Sequence, residues 1–192
     1  MLSFLFDRFK YFAIGLAIFA GAAAFNLVSK GRSGVDAASL EAKTQPGNLT
    51  ARAAKDETVM VRKEDPDMNA ARGKARATLD SFLAANASPA PGSRAYSIKV
   101  KVSDGEAVEH FWVKKFRRDG DGFAGAIDNA PEIVHTVRLG QEIRFARSEI
   151  SDWMYIDNGK MKGNFTACAM LMRETPAERE KFRKAYGLEC GA

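Results

Sequence analysis

Histidine, cysteine and tryptophan are scarce, with two of each among 192 residues. Two histidines leave little for metal chemistry. A zinc ion wants three or four N, S or O ligands, and carboxylates would have to supply the remainder at spacings that form no motif. No Cys-x-x-Cys pair occurs, which removes a dithiol redox motif. The Gly-x-Ser-x-Gly elbow, the Walker loop and His-Glu-x-x-His are all missing. Gly120, Gly122 and Gly125 read as turn and strand glycines, because no strand-to-helix switch accompanies them. No metal and no cofactor is therefore expected, and no internal repeat is visible.

A basic stripe is also lacking where a nucleic-acid binder would carry one. The formal net charge is +5. Residues 96–192 hold sixteen Lys/Arg against fifteen Asp/Glu, whereas residues 1–95 hold thirteen against nine. The excess lies ahead of the region that reads as folded sheet. Nucleic-acid binding needs cations gathered on a folded surface, so that class is set aside. Cations beside an apolar segment suit anionic lipid headgroups better.

That apolar segment is residues 11–29, uncharged between Arg8 and Lys10 on one side and Lys30 and Arg32 on the other. Its length approaches the roughly 20 residues that a helix needs to cross the hydrocarbon core. Two readings stand. It is an uncleaved transmembrane anchor, or a signal peptide cut after small residues such as Ala20-Gly21-Ala22 or Ala22-Ala23-Ala24. Both carry the rest of the chain out of the cytoplasm, with the lipid bilayer as a partner of the leader. No cysteine follows the apolar run, which excludes a lipoprotein-type anchor. The domain plan is a leader at 1–29, a flexible linker at 30–64 with one short strand at 58–62, and a folded domain at 65–192.

The folded part opens on Asp65-Pro66, an N-cap followed by a first-turn proline. Met68, Ala71, Ala75, Leu79 and Phe82 recur at helical spacing, so a helix to about residue 85 is expected, with Arg72, Lys74 and Arg76 in water. Clean alternation predicts a strand at 96–102, and strand runs between turns at Asp104-Gly105, 119–122 and 157–159 predict others at 108–116, 123–127, 142–147 and 150–156. Residues 164–172 are apolar at every phase and read as a central strand. Thr175-Pro176-Ala177-Glu178 is a capping-box start for a last helix that ends at Gly187. The fold class is α+β: a strongly bent antiparallel sheet or small barrel of five to six strands, with an N-terminal and a C-terminal helix.

Several blocks resemble the YegJ-like family of bacterial proteins. They are Glu64-Asp65-Pro66-Asp67-Met68-Asn69-Ala70-Ala71, Val102-Ser103-Asp104-Gly105-Glu106, Glu109-His110-Phe111-Trp112-Val113 and Ile150-Ser151-Asp152-Trp153-Met154. The Asp157-Asn158-Gly159-Lys160 turn and Gly163-Asn164-Phe165-Thr166 match as well. The resemblance implies a small bacterial domain that is often exported. It implies no chemistry, because the family is a domain of unknown function.

The candidate residues follow from this frame. His110 shares a strand face with Val108 and Trp112, and reads as a core histidine or as a titrating group in a groove. His135 falls in a loop and reads as solvated. Asp152 is either an acid raised by its aromatic neighbour or a turn residue paired with a cation such as Arg147. His110, Trp112, Asp152 and Trp153 form the candidate groove. Trp112, Trp153, Tyr155, Phe111 and Phe123 serve equally well as a core. Cys168 and Cys190 read as a disulfide or as two free thiols.

The function expected is a non-enzymatic envelope domain that binds a protein or cell-wall partner on the periplasmic side. Its place is the bacterial inner membrane, or the periplasm if the leader is cut. Two alternatives stand beside it: a small hydrolase using His110 with Asp152 or Asp128, and a membrane-tethered structural scaffold.

Overall fold

Asp65 does what an N-cap does. In the computed structural model, which describes residues 48–55 and 65–190, its carboxylate accepts a hydrogen bond from Met68 N at 3.0 Å. The apolar leader and the strand expected at 58–62 lie outside the described residues. The described elements run in the order α1 (Leu49–Ala54), α2 (Pro66–Ala77), α3 (Leu79–Ala87), β1 (Ser93–Asp104), β2 (Ala107–Asp119) and β3 (Gly122–Ile127). Then come β4 (Glu142–Phe145), β5 (Ile150–Asp157), β6 (Lys160–Gly163), α4 (Phe165–Leu171) and α5 (Pro176–Tyr186).

The single helix expected from Pro66 is two. Thr78 interrupts it at φ −105°, and its hydroxyl donates to the carbonyls of Lys74 (2.8 Å) and Ala75 (3.3 Å). A threonine that binds the preceding turn in this way competes with the helix ladder. The stripe Met68, Ala71, Ala75, Leu79 and Phe82 is nonetheless buried throughout. Arg72, expected in water, is half-buried.

The six strands form one antiparallel sheet in the order β4-β3-β2-β1-β5-β6. It is open, with β4 and β6 as its edges, so the antiparallel sheet holds and the closed barrel does not. Residues 164–172 are not a central strand; β1 and β2 fill that place. Gly163 (φ 77°) and Asn164 (φ 52°) are both left-handed, which ends β6 and turns the chain into α4. A Cβ on Gly163 would lie 2.2 Å from the Trp153 carbonyl oxygen, so only glycine allows this approach. A short run that is apolar at every phase carries no period to separate helix from strand.

Both faces of the central strands are covered. Register places Ile98 between Val113 and Trp153, and this face packs against Leu79 and Phe82. The opposite face carries Trp112 and Met154 against Met68, Leu171 and Phe182 from the helices. α2 packs along β5 and α4 and supplies Met68 to one core and Ala75 to the other.

The chain end closes the β6 edge. Met161 N donates to Gly187 O (2.9 Å), Met161 and Leu188 form a parallel bridge, and a disulfide joins Cys168 of α4 to Cys190. Part of the expected linker is also folded. In α1, Leu49, Thr50 and Ala53 are buried, and Thr50 N donates to Glu178 Oε1 at 2.7 Å. The capping box at α5 is thereby half made. Thr175 accepts from Glu178 N at 3.2 Å, while the Glu178 carboxylate turns to α1 instead of back to Thr175.

Candidate functional site

β1 sits between β2 and β5, and register sets Lys99 opposite both Trp112 and Asp152. The three side chains share one face beneath α4, and none reaches solvent. The Lys99 ammonium lies 4.5 Å from the centroid of the Trp112 ring and donates to Thr166 Oγ1 at 2.9 Å. Thr166 Oγ1 in turn donates to Asp152 Oδ2 at 2.6 Å. The carboxylate also accepts from Thr166 N (2.8 Å), Trp153 N (2.9 Å) and Phe165 N (3.2 Å). A lysine, a threonine and an aspartate thus form one relay, with a tryptophan face closing the cation.

Burial dominates the electrostatics. It pushes Lys99 down to about 8, against the pull of Asp152 and with help from Arg72. It pushes the Asp152 carboxyl up, although Lys99 and the Thr166 and Trp153 donors oppose it. Arg72, on α2, contributes because it is half-buried. Its Nη1 donates to Asn69 (2.7 Å), and its buried Nε meets no acceptor.

His110 lies farther along β2 in the same interior. Its Nδ1 is 2.7 Å from Ser151 Oγ, and that hydroxyl donates to the Lys99 carbonyl at 3.2 Å. A serine has one proton to give, so Nδ1–H is the donor to Ser151. Desolvation, with the charges of Lys99, Arg72 and Lys101, holds its pKa at about 3. His110 is therefore a core histidine bonded to a hydroxyl, not a group that titrates near neutrality.

The candidate groove is not a groove. His110, Trp112 and Asp152 are sealed inside, and Trp153 is buried with its Nε1 bonded to the Ala75 carbonyl (3.0 Å). Asp152 does not pair with Arg147, which binds Asp80 at 2.8 Å. Asp128, the other acid considered for a hydrolase, pairs with Lys114 near the surface. His110 and Asp152 each have other partners, and no open acid–base pair results. His135 is exposed. The aromatic residues Trp112, Trp153, Phe111 and Phe123 are core, and Tyr155 stacks on Tyr96 at 4.8 Å.

Sequence reading missed Lys99, Thr166, Ser151 and Glu109. Glu109, fully buried, accepts from the backbone N–H groups of Glu132, Ile133 and Val134 at 3.0–3.3 Å. It pins the long β3–β4 loop against β2. The signal for Lys99 was its register with Trp112, but alternation alone sends a lysine in a strand to water. No group of three or more His, Cys, Asp or Glu side chains among the described residues could hold a metal.

The model of a family described as an uncharacterized protein conserved in bacteria (DUF2314) matches residues 65–190. The chain belongs to this family. Over 88 residues it is 33% identical to the uncharacterized protein YegJ of Escherichia coli, covering 46% of this chain and 58% of that protein. A second relative, from Neisseria meningitidis serogroup B and named for ankyrin repeats, is 35% identical over 88 residues, covering 46% of this chain and 35% of its own length. The chain thus spans little more than half of one relative and about a third of the other. No solved structure matches.

Proposed function

We propose that this DUF2314 chain works outside the cytoplasm as a binding module, held at the bilayer by residues 11–29 or released after cleavage, and that it meets a protein or cell-wall partner through its outer surface. The observation that carries this reading is the closed polar interior. Lys99, Thr166, Asp152, His110 and Ser151 are buried and hydrogen-bonded among themselves, so the groups best suited to chemistry face one another. The Cys168–Cys190 disulfide supports the compartment, because structural disulfides persist where the surroundings are oxidising.

The test is crosslinked affinity capture of the tagged full chain from its own envelope, beside a tagged scrambled control. Recovery of the same partner across replicates, absent from the control, is expected; nothing above the control removes the binding reading. A phosphatase that is active only outside the cytoplasm, fused behind Ala192, tests the compartment separately. An inactive fusion alongside normal expression removes the export reading.

A further inference from the structure

The two edges of the sheet end differently. The chain end covers β6 through the Met161–Gly187 bond and the Leu188 bridge. Among the described residues no strand lies beyond β4. The backbone phase of that edge follows from its register. Ile127 N donates to Gln141 O (2.9 Å), and β3 pairs Gly125 with Ile143 and Phe123 with Phe145. Hydrogen-bonded pairs alternate along an antiparallel ladder. Ile143 and Phe145 therefore turn their N–H and C=O groups toward β3, and Glu142 and Arg144 turn theirs outward. Side chains alternate too, with Glu142 and Arg144 exposed and Phe145 buried.

We propose that β4 is an interface between two copies of this chain, paired antiparallel about a two-fold axis at Ile143. In that register Glu142 of each copy faces Arg144 of the other. Both are positions whose backbone groups point outward, so four backbone hydrogen bonds close the edge. Two opposite-charge cross-strand pairs then form on the solvent face. Ile143 meets its own copy as the central non-hydrogen-bonded pair, where Cα atoms approach to about 4.5 Å. The neighbouring registers with the same backbone phase centre on Glu142 or on Arg144, and each sets like charges face to face. Self-complementarity of this kind is what a two-fold contact demands. The two charges are held on the solvent face by partners within the chain, Glu142 by Arg117 (2.8 and 3.0 Å) and Arg144 by Asp119 (2.6 Å).

The test uses the full chain in its own envelope. No free cysteine is present among the described residues, so Ile143→Cys introduces an unpaired thiol. Mild oxidation should yield a covalent dimer on a non-reducing gel, while Leu139→Cys, in the exposed loop before β4, should not. In the Ile143→Cys background, Glu142→Arg or Arg144→Glu alone should cut the dimer several-fold, and the two together should restore it. The double swap sets like charges against Arg117 and Asp119 within each chain while restoring opposite charges between chains. Rescue therefore cannot come from contacts inside one copy. Dimer no greater than with Leu139→Cys, a crosslink to a different protein, or a double swap as weak as the singles overturns the proposal. If Ile143→Cys does not fold, sedimentation of the charge-swap series in mild detergent gives the same decision.

Discussion

At the residue scale the interior polar layer makes stability depend on pH in a definite direction. His110 is neutral in the folded chain down to about pH 3, but a histidine in the unfolded chain takes up a proton near pH 6.5. Between those values the unfolded state binds more protons, so stability falls as pH falls, by up to about 1.4 kcal/mol per pH unit for this one group. Scanning calorimetry from pH 7 to pH 4 should show that slope, and His110→Gln should flatten it. An unchanged slope would place the acid sensitivity elsewhere. Asp152→Ala is a second case. It leaves the Lys99 ammonium buried beside Thr166 without its counter-charge, a loss of about 3–5 kcal/mol in urea unfolding of the full chain. Adding Lys99→Met should recover part of that loss, because the stranded charge is then gone. None of this layer was legible in one strand at a time. Lys99 alternates with Ile98 and Val100 as a solvent-facing lysine would, and only the pairing of β1 with two other strands reveals the cover above it. Trp153, read as a groove aromatic, holds Ala75 across two elements, so Trp153→Ala would unsettle the fold before it touched any partner.

At the element scale the sequence was most readable where a chemical signal marks a boundary. Asp65-Pro66, Thr175-Pro176, Asp104-Gly105 and Gly187 each sit where their caps and turns require. Five of the six strands follow from the alternation at 96–102 and from strand runs set between turn signals. The failures share one cause, which is that short segments take their form from what they pack against. Residues 165–171 become a helix over Asp152, and β6 is a strand because β5 and the chain end flank it. α1, too short to be stable alone, exists by docking on α5. Leu49→Ala should therefore lower stability by about 2 kcal/mol or more, and it should open residues 48–55 to hydrogen exchange ahead of the sheet. A loose linker would show neither effect. The disulfide packs against the same core. Its sequence separation is 22 residues, which on the loop-entropy relation amounts to about 3 kcal/mol. Replacing both cysteines by serine should cost about that much, with loss of exchange protection at Met161 N, whose acceptor is Gly187.

At the scale of the whole molecule, Asp65 and Asp67 clasp Arg173 at 2.6–2.7 Å, and this tie joins the start of α2 to the turn before α5. Glu178, which holds α1, follows shortly after in the chain, so α1 and the start of α2 are both tied to the stretch that opens α5. Alkylation of natively prepared protein should find Cys168 and Cys190 blocked, and two reactive thiols would contradict the oxidised form. The docking of α1 also changes the geometry of attachment. On the proposed anchored reading, residues 30–47 rather than 30–64 separate the leader from the first described helix, α1. Eighteen residues span at most about 60 Å when fully extended. If residues 11–29 anchored the chain, that limit would keep the domain within the same distance of the bilayer. Copies that share a membrane would then search for one another in a layer rather than a volume, where even a four-residue edge contact gains from raised local concentration.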